Sequence, residues 1–175
     1  MQEFDDTKHY SPLEEKINIT SHAIGLILSV AALALLSTHA GMNGNVWHIV
    51  SFSIFGVSLV TLFAASTIYH SANDPELRAR LRIVDHAAIY VLIAGTYTPF
   101  TLVTLNGTSG WVIFGAVWGM ALTGIVLKLF FTGRFELVST MMYVFMGWII
   151  VFDLDALITK LSSDGLFSLV AGGVV

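Results

Sequence analysis

Two long runs of this sequence contain no charged side chain. Neither the residues between Lys16 and Asp74 nor those between Asp85 and Lys128 include an Asp, Glu, Lys or Arg. Soluble domains do not normally contain such stretches, and a helix needs only about 20 apolar residues to cross a roughly 30 Å hydrocarbon core. Because each run is far longer than one crossing, each is predicted to be a helical hairpin in a membrane.

Turn-forming residues divide both runs, at 41–45 and at 106–110. The pattern predicts an all-α, polytopic helical membrane protein, with one transmembrane domain over 1–175 and a cytoplasmic segment at 1–21. The predicted spans lie near residues 22–39, 46–70, 86–105, 111–131, 136–158 and 165–175. The last is too short to cross a bilayer, so we expect a chain truncated within a sixth span.

Composition excludes several classes of function. The chain has 175 residues, of which 55% are hydrophobic and 11% charged, and it has no cysteine. Disulfides, thiolate metal sites and cysteine nucleophiles are therefore excluded, and any metal would bind through imidazole, carboxylate or water. A net charge of −4 without a basic stripe argues against a nucleic acid partner. Membrane lipid is the expected partner, and the sequence does not fix an oligomeric state.

The basic residues predict the orientation of the chain. Seven of the eight fall on one side of the predicted spans, and Lys160 alone falls on the other. The seven are Lys8, Lys16, Arg78, Arg80, Arg82, Lys128 and Arg134. By the positive-inside rule, the N-terminus is predicted to be cytoplasmic.

Polar residues precede the first span at helical spacing. Glu15, Asn18 and His22 are separated by three and four residues, so on a helix they share one face. Two interpretations stay open. The residues are part of a site, or the segment is an amphipathic entry to the membrane that begins with a capping box of Ser11 and Glu14.

A second polar pair ends the second predicted span. Ser66 and His70 are four residues apart and project from the same face of a helix. Neutral imidazole is a common ligand for zinc, and a serine can orient the ligand or a bound water. The alternative is that His70, next to Tyr69, belongs to an aromatic belt at the membrane interface.

Asp85 opens the third predicted span on the same side of the membrane. It can face His70 across a loop at 71–82, in which Asp74-Pro75 forms a turn. The alternative is that Asp85 caps a helix or pairs with one of the three nearby arginines. A carboxylate or imidazole in hydrocarbon costs about 2.5–3.5 kcal/mol, so three polar sets at one membrane level predict a shared metal site.

Other features are expected to be structural. Asp153 and Asp155 lie near the opposite end of the fifth span, where they are expected to cap a helix end; the alternative is that they line an outer vestibule. Pro99 is expected to kink the third helix and free the carbonyl of Gly95, with neighbouring threonines taking up the exposed backbone groups.

Three motifs follow one another on the predicted helices: Glu14-Glu15-x-x-Asn18-x-x-x-His22, then Ser66-Thr67-Ile68-Tyr69-His70-Ser71, then Val84-Asp85-His86 leading into Gly95-Thr96-Tyr97-Thr98-Pro99-Phe100. With these motifs the sequence resembles the bacterial hemolysin III branch of the progestin and adiponectin receptor family, which is related to the alkaline ceramidases. The resemblance implies a seven-helix bundle in the bacterial inner membrane, with a cytoplasmic N-terminus.

The resemblance also implies a zinc ion (Zn²⁺). It assigns His70 as a ligand, together with two histidines of a His-x-x-x-His motif on a seventh helix. Asp85 matches an aspartate that acts through a zinc-bound water, and Ser66 is the second predicted catalytic residue. Supporting residues are Glu15, Asn18, His22 and His86. This sequence has no His-x-x-x-His motif, so we expect these 175 residues to bind zinc weakly or not at all.

Two functional hypotheses from different classes follow. The first is a zinc-dependent intramembrane hydrolase that acts on an amide, such as an N-acyl lipid. The alternative is a non-enzymatic membrane protein, either a pore-forming cytolysin or a receptor that responds to a metal or a lipid. A monomeric pore would need a polar stripe through the bilayer, whereas the predicted spans are apolar through their middles.

Overall fold

The computed structural model describes residues 11–131 and 136–174, and within these residues every regular element is helical. The elements are α1, Pro12–Asn43; α2, Val46–Ser71; α3, Pro75–Pro99; α4, Thr108–Phe131; α5, Glu136–Trp148; α6, Leu154–Lys160; and α7, Ser163–Val174. A π-helix, Phe100–Leu105, continues α3, and a 3-10 helix, Ile149–Asp153, joins α5 to α6. The all-α prediction is confirmed.

Five helical segments within the described residues are long and apolar enough to cross a membrane. They are Pro12–Asn43, Val46–Ser71, Pro75–Leu105, Thr108–Phe131 and Leu137–Lys160. The polytopic helical membrane protein predicted from the sequence is therefore confirmed. Short connections make successive spans antiparallel, and α1, α2, α3 and α4 pack against one another in chain order. The start of α1, the end of α2 and the start of α3 meet at one end of the bundle, which we call the site end.

The first span starts ten residues before its predicted position at 22. Ser11 and Glu14 form the capping box suggested by the sequence: the Ser11 amide donates to Glu14 Oε2 at 2.7 Å and the Glu14 amide donates to Ser11 Oγ at 3.3 Å. Pro12 occupies the first turn, where its missing N–H leaves no bond unmade. Glu15 and His22 therefore lie on a continuous helix.

The third span also starts earlier, and the loop predicted at 71–82 is shorter. The Asp74 carboxylate accepts a hydrogen bond from the Leu77 amide at 2.8 Å and so caps α3 at Pro75. An Asp-Pro pair suits a helix start as well as the predicted turn, and the cap selects the helix here. Asp85 consequently lies about 15 Å along α3 instead of opening it, at a rise of about 1.5 Å per residue.

Small residues set the spacing between the spans. A Cβ at Gly95 of α3 would overlap the Ser58 hydroxyl of α2, and a Cβ at Gly124 of α4 would overlap the ring of Tyr90 of α3. Such close approach is the usual way for membrane helices to gain packing energy. Tyr90 is fully buried, and its hydroxyl contacts Ser139 of α5, 2.8 Å from Oγ. These contacts fix α3, which holds Asp85, between its neighbours.

The backbone is irregular after Pro99, but not as a simple kink. The third span continues as the π-helix, which ends at Asn106 in a left-handed conformation with φ 37°. The threonines bond to carbonyls other than the expected one: Thr96 Oγ1 donates to Leu92 O at 2.9 Å and Thr98 Oγ1 to Ala94 O at 2.8 Å. Proline removes a backbone donor, and the wider π-helical turn accommodates that loss.

The fifth span is interrupted by the 3-10 helix. Asp153, expected to cap a helix end, precedes α6 but its side chain makes no capping hydrogen bond, so that prediction is wrong for this residue. Its Oδ2 is buried and has no hydrogen-bond partner within the part of the chain that the structure describes. Asp155 lies in the first turn of α6, where the helix dipole favours a carboxylate.

Candidate functional site

At the site end, a hydroxyl and a carboxylate from neighbouring helices are in contact. Ser66, near the end of α2, donates a short hydrogen bond from Oγ to Asp85 Oδ1 on α3. Ser66 is buried and the side chain of Asp85 is 14% exposed. Because Asp85 lies inside α3 and accepts from Ser66, the alternative that it caps the helix start is wrong.

The imidazole of His70 is held by a carboxylate from a third helix. His70 Nδ1, one turn beyond Ser66 on α2, donates to Glu15 Oε2 of α1 at 2.9 Å. The side chain of His70 is 9% exposed and that of Glu15 is 19% exposed. A carboxylate on Nδ1 fixes the tautomer, and Nε2 is then the ring atom that would coordinate a metal.

Arg78, predicted from the sequence as one of three arginines that could pair with Asp85, instead binds Glu15. Its Nη2 donates to Glu15 Oε1, its Nη1 donates to Ala72 O at 3.3 Å, and its guanidinium lies 4.9 Å from the centre of the Tyr69 ring. Tyr69 is itself buried, with its ring centre 4.7 Å from that of His70. The Glu15 charge is therefore compensated where water is scarce.

His22 extends the cluster along α1, and Asn18 lies on the same helix face. The His22 ring is nearly parallel to the ring of His70, with centres 5.5 Å apart. Its Nδ1 is buried and has no hydrogen-bond partner among the described residues. Asn18 is partly buried one turn from Glu15 on the same face.

His86 lies at the edge of the cluster. Its Nδ1 donates to Arg82 O of the preceding turn at 2.7 Å and is 3.7 Å from Asp85 Oδ2. The side chain is 39% exposed. The structure therefore brings together Glu15, His22, Ser66, His70 and Asp85, and places His86 beside them with its Nδ1 already bound to the backbone.

One side chain of the cluster has the chemistry of a metal ligand. His70, held by Glu15 and beside the unpartnered Nδ1 of His22, is the kind of group that zinc binds. Within residues 11–131 and 136–174, however, no three His, Asp or Glu side chains form a group that could hold a metal ion. The described donor set therefore offers one suitable ligand, His70, and does not by itself make a complete metal site.

The sequence patterns do not identify Arg78 and Tyr69 as parts of this cluster. They predict a loop at Arg78 and are compatible with an interfacial belt at Tyr69. The available signal was the Asp74-Pro75 helix start, which makes Arg78 the fourth residue of α3 and places it next to the end of α2. A guanidinium there can reach a carboxylate on α1, but only the packing of three helices determines which one.

The fold and the cluster define a class of protein: a multi-pass helical membrane protein with a polar site shared by its first three spans. The chain belongs to the Haemolysin-III related family, whose model matches residues 10–175. The resemblance to hemolysin III found from the motifs is thereby confirmed.

Individual relatives agree with this assignment. The chain is 43% identical to "Hemolysin-3" of Bacillus cereus and 47% identical to the "Hemolysin-3 homolog" of Bacillus subtilis (strain 168), each over 162 residues that cover 93% of this chain and 74% and 76% of the relatives. It is 25% identical over 170 residues to the "Monocyte to macrophage differentiation factor" of Homo sapiens, covering 93% of this chain and 68% of that protein. No solved structure matches the chain.

Proposed function

We propose that the protein is a zinc-dependent intramembrane hydrolase that cleaves an amide, such as that of an N-acyl lipid. The observation that supports this most is the meeting of Ser66, Asp85 and a carboxylate-held His70 at one level of three adjacent helices. A nearby carboxylate, a hydroxyl and a metal-binding imidazole are the groups that such a hydrolysis uses. The zinc assignment rests on the family resemblance and on the fit of His70.

Each residue has a distinct role in this proposal. Asp85 is the general base, which accepts a proton at a carboxylate oxygen from the attacking water. Ser66 holds Asp85 in position by donating its hydroxyl proton to Oδ1. Once Asp85 has accepted a proton it can donate to Ser66 Oγ, and the serine proton is then free to be donated to the oxyanion of the substrate. His70 would hold the metal through Nε2, with Glu15 fixing its tautomer. When bound, zinc supplies a Lewis acid and lowers the pKa of a water molecule toward about 7.

The position of the site favours a lipid-like substrate. The spans that carry it are apolar, so an acyl chain can reach the site from the bilayer while the amide lies at the level of the polar cluster. We further propose that the protein lies in the bacterial plasma membrane with a cytoplasmic N-terminus. The excess of basic residues on the site end supports that orientation.

Metal analysis of the purified full-length protein beside a His70→Ala variant tests the proposal. Wild type is expected to contain zinc and to hydrolyse N-acyl lipids in a reconstituted membrane, and the variant is expected to lose both. His48→Ala is the matched control, because His48 is partly exposed and contacts Asn45 at the opposite end of α2, far from the cluster. Stoichiometric zinc in the His70 variant would show that the site assignment is wrong.

A second candidate is cytolysis, since one relative is named "Hemolysin-3". The buried hydroxyls argue against a water-filled path through the described spans. Those of Ser29, Ser51, Ser58 and Thr98 each donate to a carbonyl of their own helix.

Dye release from liposomes that contain the protein distinguishes this candidate: leakage that persists in the His70→Ala variant, without lipid turnover, would favour it. A receptor that responds to a metal or lipid would bind zinc through His70 without turnover or leakage.

A further inference from the structure

We infer that Arg78 is a positioning residue for His70, and that it acts through the carboxylate of Glu15. The two oxygens of this carboxylate have different partners, His70 Nδ1 on Oε2 and Arg78 Nη2 on Oε1. The guanidinium therefore sets the rotation of the carboxylate, and the carboxylate sets the rotation of the imidazole. The claim that this positioning serves a metal site rests on the proposed function. The claim that Arg78 orients the His70 ring does not.

Arg78 is itself fixed on three sides. Besides Glu15, it binds the carbonyl of Ala72 just beyond the end of α2 and lies over the ring of Tyr69. Its side chain is only 16% exposed. A planar guanidinium can make these contacts at once, whereas an ammonium is a point charge that cannot reproduce the fork or the stacking.

A neighbouring arginine provides a matched control. Arg80 is two residues further along α3 and pairs with Glu76, one turn back on the same helix. Both side chains are about three-quarters exposed, at 75% and 78%. Replacing Arg80 removes the same charge from the same helix without touching the cluster. Any difference between Arg78 and Arg80 variants therefore reports on the contact with Glu15.

The first measurement needs no metal. In full-length protein labelled with ¹⁵N-histidine and stripped of metal, the His70 resonances of wild type are expected to show a proton on Nδ1. Arg78→Gln is expected to shift them toward a tautomer mixture, Arg78→Lys to shift them less, and Arg80→Gln to leave them unchanged. A role confined to folding would lower the thermal midpoint without changing the tautomer.

The second measurement is zinc affinity, by competition with a chelator. Loss of a residue that orients a metal ligand typically costs 10–100-fold, and we expect a loss of about that size for Arg78→Gln, a smaller loss for Arg78→Lys and none for Arg80→Gln. Equal tautomer populations and equal affinities in Arg78→Gln and Arg80→Gln would overturn the inference. If Arg78→Gln does not fold, Arg78→Lys decides in the same way.

Failure of the proposed function would look different. If His70→Ala retains wild-type zinc, the zinc hydrolase proposal fails, and the tautomer of His70 in the metal-free Arg78 variants still decides whether Arg78 positions the ring. If His70→Ala loses zinc but the Arg78 and Arg80 variants behave alike in both measurements, the proposed function stands and the role of Arg78 is refuted.

Discussion

The site end and the opposite half of the bundle are held together by different interactions. At the site end, charged and polar side chains bind across helices, with Glu15 of α1 joined to both His70 of α2 and Arg78 of α3. In the half that contains the π-helix and the 3-10 helix, backbone groups receive the bonds between elements. Tyr97 Oη donates to Gly147 O at 2.9 Å and accepts from the Ile150 amide at 3.1 Å, and Lys160 Nζ donates to Leu105 O.

This contrast indicates that the site end serves function, whereas the packed interfaces hold the helices together. Buried ion pairs are weak evidence for stability, because desolvation offsets much of the attraction, so a cluster of them needs another reason to exist. Packing of small residues and tyrosine hydrogen bonds stabilises a membrane bundle without such a cost. Substitutions at the site end should therefore affect function first, and substitutions in the packed interfaces should affect folding first.

The largest effect is expected for Asp85→Asn at the site end. The amide keeps the size of the side chain and an acceptor for Ser66 but cannot accept a proton as a base. Turnover of an N-acyl lipid should fall about 10²–10⁴-fold, while the thermal midpoint changes little. Asp155→Asn, at an exposed position on α6, is the control and should turn over like wild type. Retained activity in Asp85→Asn would exclude Asp85 as the base.

The next largest effect is expected for overpacking in the scaffold. Gly124→Val places its side chain against the buried ring of Tyr90 and should lower the free energy of unfolding by about 1–3 kcal/mol. Gly119→Val, on the same helix with open space at its Cβ, should be close to neutral. Denaturant unfolding in lipid bicelles measures both. Equal destabilisation would mean that α3 and α4 are not packed as described.

A smaller effect is expected where a single hydroxyl joins two helices. Tyr90→Phe and Ser139→Ala remove the two hydroxyls that meet between α3 and α5, while Ser139→Ala keeps the carbonyl that also accepts from Tyr90 Oη at 3.1 Å. In a double-mutant cycle, their coupling should be about 0.6 kcal/mol and no more than about 1.7 kcal/mol, the range known for hydrogen bonds between membrane helices. A coupling near zero would show that this hydroxyl pair does not help to join the helices.

The smallest effect is expected for the exposed ion pair of Arg80 and Glu76. Both side chains are largely exposed, so Glu76→Gln should change the free energy of unfolding by no more than about 0.5 kcal/mol, and added salt should reduce even that. The same unfolding assay measures it. A loss of unfolding free energy above about 1 kcal/mol would mean that this exposed pair contributes more to stability than surface ion pairs do.

Much of the fold follows from the sequence because uncharged length determines how often a chain can cross a bilayer. The same regularity predicted that Glu15, Ser66 and Asp85 would lie at one level, since alternate helix ends fall on the same side. Helix starts were less predictable. Asp74-Pro75 suits both a turn and a helix cap, and the residue types alone do not decide between them.

Other features could not be predicted because they arise from contacts between distant segments. The role of Arg78 depends on the directions of side chains from three helices. No proline and no pair of glycines directly precedes the 3-10 helix at Ile149–Asp153. It lies where the Ile150 amide donates to the hydroxyl of Tyr97 on α3. Neither the role of Arg78 nor the 3-10 helix can be predicted from hydrophobic periodicity or composition.

The connection between α2 and α3 consists of only three residues, 72–74, and both of its ends are fixed, by the Ala72 amide bound to Tyr69 O and by the Asp74 cap. It therefore fixes the register of α3 relative to α2. Each residue added within α3 before Asp85 would rotate the carboxylate by about 100° around the helix axis and turn it away from the serine. Members of the family that keep this pair should accordingly keep its nineteen-residue separation, even where their other loops differ in length.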